Sequence, residues 1–427
     1  MNYLDRIVEQ QKRGMRLGLY SCCSSNEYVI RAALRRACQR KTSVLIEATA
    51  NQVNQYGGYT GMTPQMFHDW VFTLAAEEGL APENVILGGD HLGPLTFAKE
   101  SEAVAMEKAR ALVRAYAAAG FQKIHLDTSM LLGDDTPGML TDETIARRSA
   151  ELCIEAEAAS KEIIPINHTN QIWYVIGSEV PIPGGVQGDE DGVSVTSPEA
   201  YQRTIKVFEE VYRNHGLEDA WERVVAVVVQ PGVEFGDNTV IRYDRAKAEK
   251  LTSLARKSRH VLEGHSTDYQ TAEHLKQMVE DGIAILKVGP ALTFGLREGL
   301  FALENIEVEM KASEPSNLRY LLERIMISNP EYWCKYYYGN ADEQSYARAF
   351  SYSDRMRYYL PDQRVHRAIQ KLMSNLKDRD IPMPLLYQYL PVQAKRVASG
   401  SLSKNPEELL IDHVGDWIDD YLDATLS

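Results

Sequence analysis

The chain has 427 residues, 44% of them hydrophobic and 25% charged, which excludes a disordered or low-complexity polymer and suits a large domain with an appendage. Its 60 acidic and 46 basic residues leave a formal charge of −14, the wrong sign for a duplex-binding protein, so nucleic acid is not an expected partner. Five cysteines without a CxxC pair argue against a disulfide framework, and the longest strongly apolar run, Val224–Val229, is far short of the ~20 residues of a membrane span; a cytoplasmic protein is expected.

Short, apolar, β-rich runs alternate with amphipathic stretches along the first 300 residues. Strands are expected at Leu17–Cys22, Ser43–Ala48, Asn84–Gly89, Gln122–Asp127, Trp173–Val180, Val224–Gln230, His260–His265 and Ile283–Val288. Most are continuous apolar runs, as strands covered on both faces should be. Thr63-Pro64 and Ser197-Pro198 pair a cap with a first-position proline, Asp244 caps the stretch after it, and Gly120, Gly216 and Gly282 are helix stops. Eight strands alternating with helices predict a (β/α)₈ TIM barrel over residues 1–300. The rival, an open doubly wound sheet, needs a glycine-rich turn after the first strand, and SCCSSNE supplies none. Beyond Phe301 strand signals stop, and residues 301–427 read as a proline-broken, tyrosine-rich helical extension packed on the barrel.

In such a barrel the strand C-termini and the loops after them build the active site. An ionisable or polar group closes every expected strand: Cys22-Cys23, Glu47, Asp90-His91, His125 with Asp127, Glu179, Gln230 with Glu234, Glu263-Gly264-His265, and Lys287. Gathering such groups in an enclosed mouth costs several kcal/mol each unless they are paired, metal-bound or wet. His91 and His265, with Glu179 or Asp90, form a donor set for zinc or another divalent metal. Glu47, Asp90, Asp127 and Glu179 are candidates for general acid–base work. Ser266 and Lys287, after the seventh and in the eighth strand, sit where many barrels bind phosphate, and Arg355 and Arg357 would assist if the extension folds over the mouth. Asn51 and Gln52, after the second strand, complete the substrate-binding candidates. The bland alternatives are a hydrogen-bonded interior His125, surface salt bridges for the two arginines, core packing for the tyrosines and ordinary buried cysteines.

The stretches IEATANQVNQYGGYTGMTP, ILGGDHLGP, KIHLD, VVVQPGVEF, HSTDYQT, ILKVGPALTF and SYSDRMRYY run in the order found in the Z-type subunits of class II D-tagatose-1,6-bisphosphate aldolase, the GatZ/KbaZ family, which the chain resembles over nearly its whole length. The resemblance implies a TIM barrel that supports the activity and stability of a separate, catalytic Y-type subunit in galactitol, N-acetylgalactosamine or tagatose catabolism. Its ligand would be a phosphorylated ketohexose. Some relatives are described instead as 4-epimerases interconverting D-tagatose and D-fructose phosphates. An older kinase label finds no P-loop in this sequence. Compared with class II aldolases, Asp90-His91 and Gly264-His265 match zinc-binding motifs, but Gln230-Pro231-Gly232 stands where a further zinc histidine is expected, so the aldolase triad reads as incomplete. Asn26 replaces a histidine usual in relatives, and the stretch Ser160–Gln171 departs from the family pattern. A homo-oligomer is left open.

Overall fold

The computed structural model describes residues 2–162, 171–180, 193–377 and 379–426. Most of the stretch Ser160–Gln171 lies outside the described residues. Eight strands close into a barrel: β1 (Leu19–Cys22), β2 (Val44–Thr49), β3 (Val85–Leu92), β4 (Lys123–Leu126), β5 (Trp173–Ile176), β6 (Val224–Val229), β7 (Val261–Gly264) and β8 (Ile283–Val288). Their order around the barrel is β1-β8-β7-β6-β5-β4-β3-β2, every neighbour parallel. A short antiparallel hairpin, Glu234–Phe235 with Val240–Ile241, follows β6.

The caps act as expected. Thr63 and Ser197 accept backbone N–H bonds ahead of Pro64–Glu77 and Pro198–Asn214, and Asp244 does so ahead of Arg245–Ala255. Two strand ends differ from the sequence pattern. β3 runs on to Leu92, which places Asp90 and His91 inside the strand. β5 stops at Ile176, where Gly177 meets Val228 of the neighbouring strand so closely that an added Cβ would stand 2.9 Å from it.

Helix α1 (Tyr3–Lys12), not foreseen from the charged N-terminus, closes the barrel's N-terminal end. Its Leu4 and Ile7 join an apolar cluster with Leu19, Leu45, Ile86, Trp173, Val261 and Ile285, and Asp5 accepts a 2.7 Å bond from the Trp173 indole. The helix Pro290–Glu309 runs straight across residue 300. The last helix, Pro406–Thr425, returns to pack against Glu27–Arg40, Ala272–Glu280 and Pro290–Glu309, so extension and barrel share one hydrophobic core. No helix among the described residues is long and apolar enough to cross a membrane.

Candidate functional site

Inward positions recur every second residue along a strand, so the upper barrel is filled from alternate residues of neighbouring strands. Lys123 of β4 is fully buried between two equally buried carboxylates, 2.6 Å from Glu47 Oε1 and 2.8 Å from Glu263 Oε2. Glu47 Oε2 also accepts from the Ser21 hydroxyl and the Lys287 ammonium. Lys287 Nζ reaches Asp90 Oδ2 at 2.9 Å, which ties β2, β3, β4, β7 and β8 into one ion-paired network. Gly88 makes room for it: a Cβ there would lie 2.4 Å from Glu47 Oε1.

Above the network three histidine rings face one another, with centroids 5.0–5.3 Å apart: His91, His125 and His265. Each has one nitrogen on a carboxylate. His91 Nδ1 lies 2.7 Å from Asp127 Oδ2, His125 Nδ1 lies 2.9 Å from Asp90 Oδ1, and His265 Nε2 lies 3.0 Å from Glu263 Oε1. That leaves His91 Nε2, His125 Nε2 and His265 Nδ1 for another partner, and buried His125 Nε2 has none among the described residues. His91 and Ser266 adopt positive φ angles of 50° and 53°, an uncommon conformation for non-glycine residues that is also seen at five other positions in this chain.

The electrostatics fit a divalent cation. Burial works against every charge here, yet the histidines hold Asp90 well below the usual carboxylate range, His91 does the same for Asp127, and Lys123 and His265 bring Glu263 to about 2. Burial lowers His265, which favours the neutral form that binds metal, whereas for His91 the Asp90 and Asp127 carboxylates outweigh burial and raise it to about 9. Four carboxylates (Glu47, Asp90, Asp127, Glu263) face two ammonium groups (Lys123, Lys287). With all three imidazoles neutral, as metal binding requires, the excess is two negative charges, which one divalent ion would cancel; without metal, a proton on His91 offsets one of them. A carboxylate behind each ligating histidine is the usual support of such a site. Asp90, His91, His125 and His265 bring their ligand atoms within 4.8 Å of one another.

A pocket of about 700 Å³, counted to its open mouth, lies over this cluster. Its walls include Asn51, Gln52, Asp90, His91, His265, Ser266, Lys287 and Arg357, all picked out from the sequence, together with Thr49, Tyr59 and Tyr358. Glu47 and Asp127 sit behind the wall, holding Lys287 and His91. Two candidates lie elsewhere. Glu179 is exposed beyond the end of β5 and is not part of the cluster, because the strand breaks at Gly177. Arg355 is buried against Tyr336 and donates to the Tyr332 carbonyl 3.1 Å away; Arg357, two residues on, faces the pocket in its place. Neither arginine is in a surface salt bridge among the described residues.

The aldolase-type histidine position is without a metal ligand in the structure too, and the donor set is completed differently. Gln230 turns back to accept from Gly232 and Val233, while His125 on β4 supplies a third histidine from a different strand. Lys123 and His125 were missed as site residues because the strand around them looks apolar; their spacing of two residues was the available signal. Burial pushes the Cys22 and Cys23 thiols up to about 12, consistent with inert cysteines.

A family model described as D-tagatose-1,6-bisphosphate aldolase subunit GatZ/KbaZ-like matches residues 4–426. Among solved structures, the chain is similar to a probable tagatose 6 phosphate kinase from Sinorhizobium meliloti 1021, with 43% identity, a TM-score of 0.86, and 95% of this chain and 100% of that one covered. It is similar at a much lower level to the YdjI aldolase from Escherichia coli K12, with 11% identity, a TM-score of 0.44, and coverage of 87% and 94%; that likeness carries no weight for function.

Proposed function

We propose a function from the premise that this chain belongs to the D-tagatose-1,6-bisphosphate aldolase subunit GatZ/KbaZ-like family: it is a metal-dependent catalyst in its own right, inverting C4 of a phosphorylated ketohexose to interconvert D-tagatose and D-fructose phosphates. The observation that carries this reading is the set of three histidines, each backed by its own carboxylate, of which His91 and His265 line an open pocket and His125 lies buried directly beside them. A subunit with only a supporting role has no use for so costly an arrangement.

Zinc or another divalent ion held by His91, His125 and His265 would polarise carbonyl and hydroxyl oxygens of the sugar. Inversion at C4 needs a bond to that carbon broken and remade on the other face; because the C4 hydroxyl is β to the C2 carbonyl, its deprotonation drives reversible C3–C4 cleavage, and re-addition to the other face of the C4 aldehyde returns the proton with no external oxidant. Asp90, held ionised and lining the pocket, accepts a proton from a ligand hydroxyl. Lys287 donates toward ligand oxygens from its seat between Glu47 and Asp90. Glu47 and Asp127 are positioning residues, the first for Lys287 and the second for His91. Asn51, Gln52 and Ser266 contribute uncharged polar contacts.

The test is purified protein with D-tagatose 6-phosphate or 1,6-bisphosphate and a panel of divalent metals, followed by NMR. Fructose phosphate should appear without a Y-type subunit, and Asp90→Asn should slow it by roughly 10²–10⁴-fold. No epimerisation with any metal ends this reading. The family description as an aldolase subunit favours a second reading, in which the chain supports a catalytic Y-type partner in galactitol, N-acetylgalactosamine or tagatose catabolism. It predicts aldol cleavage only when both chains are present.

A further inference from the structure

Besides the histidines, two basic side chains face the pocket, Lys287 and Arg357. Lys287 is neutralised by Glu47 and Asp90. Arg357 is not: its guanidinium donates to the Ser353 and Asp354 carbonyls and, at 3.1 Å, to the Tyr358 hydroxyl, all uncharged acceptors. The nearby Asp354 carboxylate is engaged elsewhere, accepting from Arg297 Nε at 3.0 Å and from Thr293 at 2.6 Å. A half-buried guanidinium with no ion-paired carboxylate among the described residues, at the wall of an open cavity, is a ready anion site.

The place where a barrel of this kind ordinarily holds phosphate is already filled by the protein. The backbone N–H groups of Gly289 and Ala291, where the helix Pro290–Glu309 begins, both donate to Asp268 Oδ1, at 3.0 and 2.8 Å. An internal carboxylate therefore occupies the donors that a phosphate would use. Arg357 also borders a second cavity, walled in part by Ser25, Asn26, Thr293 and His366, and shares Gln52 and Tyr59 between the two. A ligand reaching from the histidines toward Arg357 thus has further space beyond it, walled by both polar and apolar side chains.

We infer that Arg357, supplied by the C-terminal extension, is the phosphate anchor of the site and selects phosphomonoester sugars over free sugars. This rests on the proposed ligand class and adds where its phosphate is read. The extension then completes the site: the eight strands provide the reacting end and the extension recognises the charged end.

Calorimetric titration of the zinc-supplemented full chain with D-tagatose 6-phosphate, with D-tagatose, and with inorganic phosphate as competitor tests it. Arg357→Met should weaken the phosphorylated sugar by about 10–100-fold, the usual worth of hydrogen bonds to a charged group, abolish competition by phosphate, and leave the free sugar unchanged. Arg357→Gln keeps N–H donors for the two carbonyls while removing the charge, and should give the same result if the Met variant does not fold. A folded variant that binds D-tagatose 6-phosphate as the parent does overturns the inference and leaves the proposed function standing. A parent protein with no preference for the phosphorylated sugar overturns both.

Discussion

The two ends of this barrel are built from the same strands and differ by two residues. At the lower layer the inward positions are Leu19, Leu45, Ile86, Val261 and Ile285, sealed beneath by Leu4 and Ile7 of α1. Two residues along the same strands, the positions are Ser21, Glu47, Gly88, Glu263 and Lys287. The register confirms shared layers: Leu19 pairs with Ile285 and Ser21 with Lys287, Leu45 pairs with Ile86 and Glu47 with Gly88. The lower half is stabilised by apolar burial, at about 25 cal/mol per Å² removed from water. The upper half gives up that gain and holds charges at a cost that pairing only offsets. A fold that needed stability alone would continue the lower pattern upward, so the switch marks where structure yields to function.

The sharpest way to break the comparison is to unpair the upper layer. Lys123→Met leaves Glu263 and one oxygen of Glu47 without their cation, and should cost about 3–5 kcal/mol in chemical denaturation. Adding Glu263→Gln to that variant should restore much of the loss, since the orphaned charge goes with it. In the lower layer, Ile285→Ala should cost about 2–5 kcal/mol through a cavity, and no second polar-to-neutral change should rescue it. Equal response of both layers to second-site neutralisation would erase the distinction drawn here.

Divalent metal offers the next largest effect, confined to the upper end. Zinc at a hundredfold excess over its dissociation constant should stabilise the parent by about 2.7 kcal/mol, seen as a rise in melting temperature. His125→Ala should remove that rise while leaving the metal-free melting temperature far less changed than Lys123→Met does. A full zinc response in His125→Ala would mean that the third histidine is not a ligand.

Much of this was legible in the sequence, and for a physical reason. Apolar runs with caps and glycine stops specify parallel strands and helices locally, so the barrel follows from pattern. Asp90, His91, His265 and Lys287 follow because strand ends in a barrel must converge. His125 and Lys123 were harder, since an ionisable residue inside an apolar strand reads as an isolated accommodation until its neighbours across the barrel are known. Glu179 misled because strand ends are read from apolar runs, and the close approach of Gly177 to Val228 is a tertiary fact. Arg357 and Arg355 differ by two places in a 3₁₀ turn, Arg355–Tyr358, where no simple periodicity tells which one faces the pocket.

Acid should expose the smallest difference, and it lies at the lower end. His260 stands just before β7, buried against Trp221 with Nδ1 3.1 Å from the Ser258 hydroxyl, and among the described residues no carboxylate supports it as one supports each upper histidine. Burial, with Arg259 and Lys12 adding to it, lowers His260 to about 3. Because the folded value lies below the unfolded value near 6.5, the neutral ring's contribution is complete above pH 6.5 and is lost as pH falls toward 3. By pH 5 the loss should be about 2 kcal/mol. Denaturant melts of the parent and of His260→Gln between pH 7 and 4.5 should therefore converge as the pH drops, the variant starting lower but losing less. Parallel curves would show that His260 takes up its proton without opening the lower end, and the contrast between a supported and an unsupported set of histidines would then fail where it is easiest to measure.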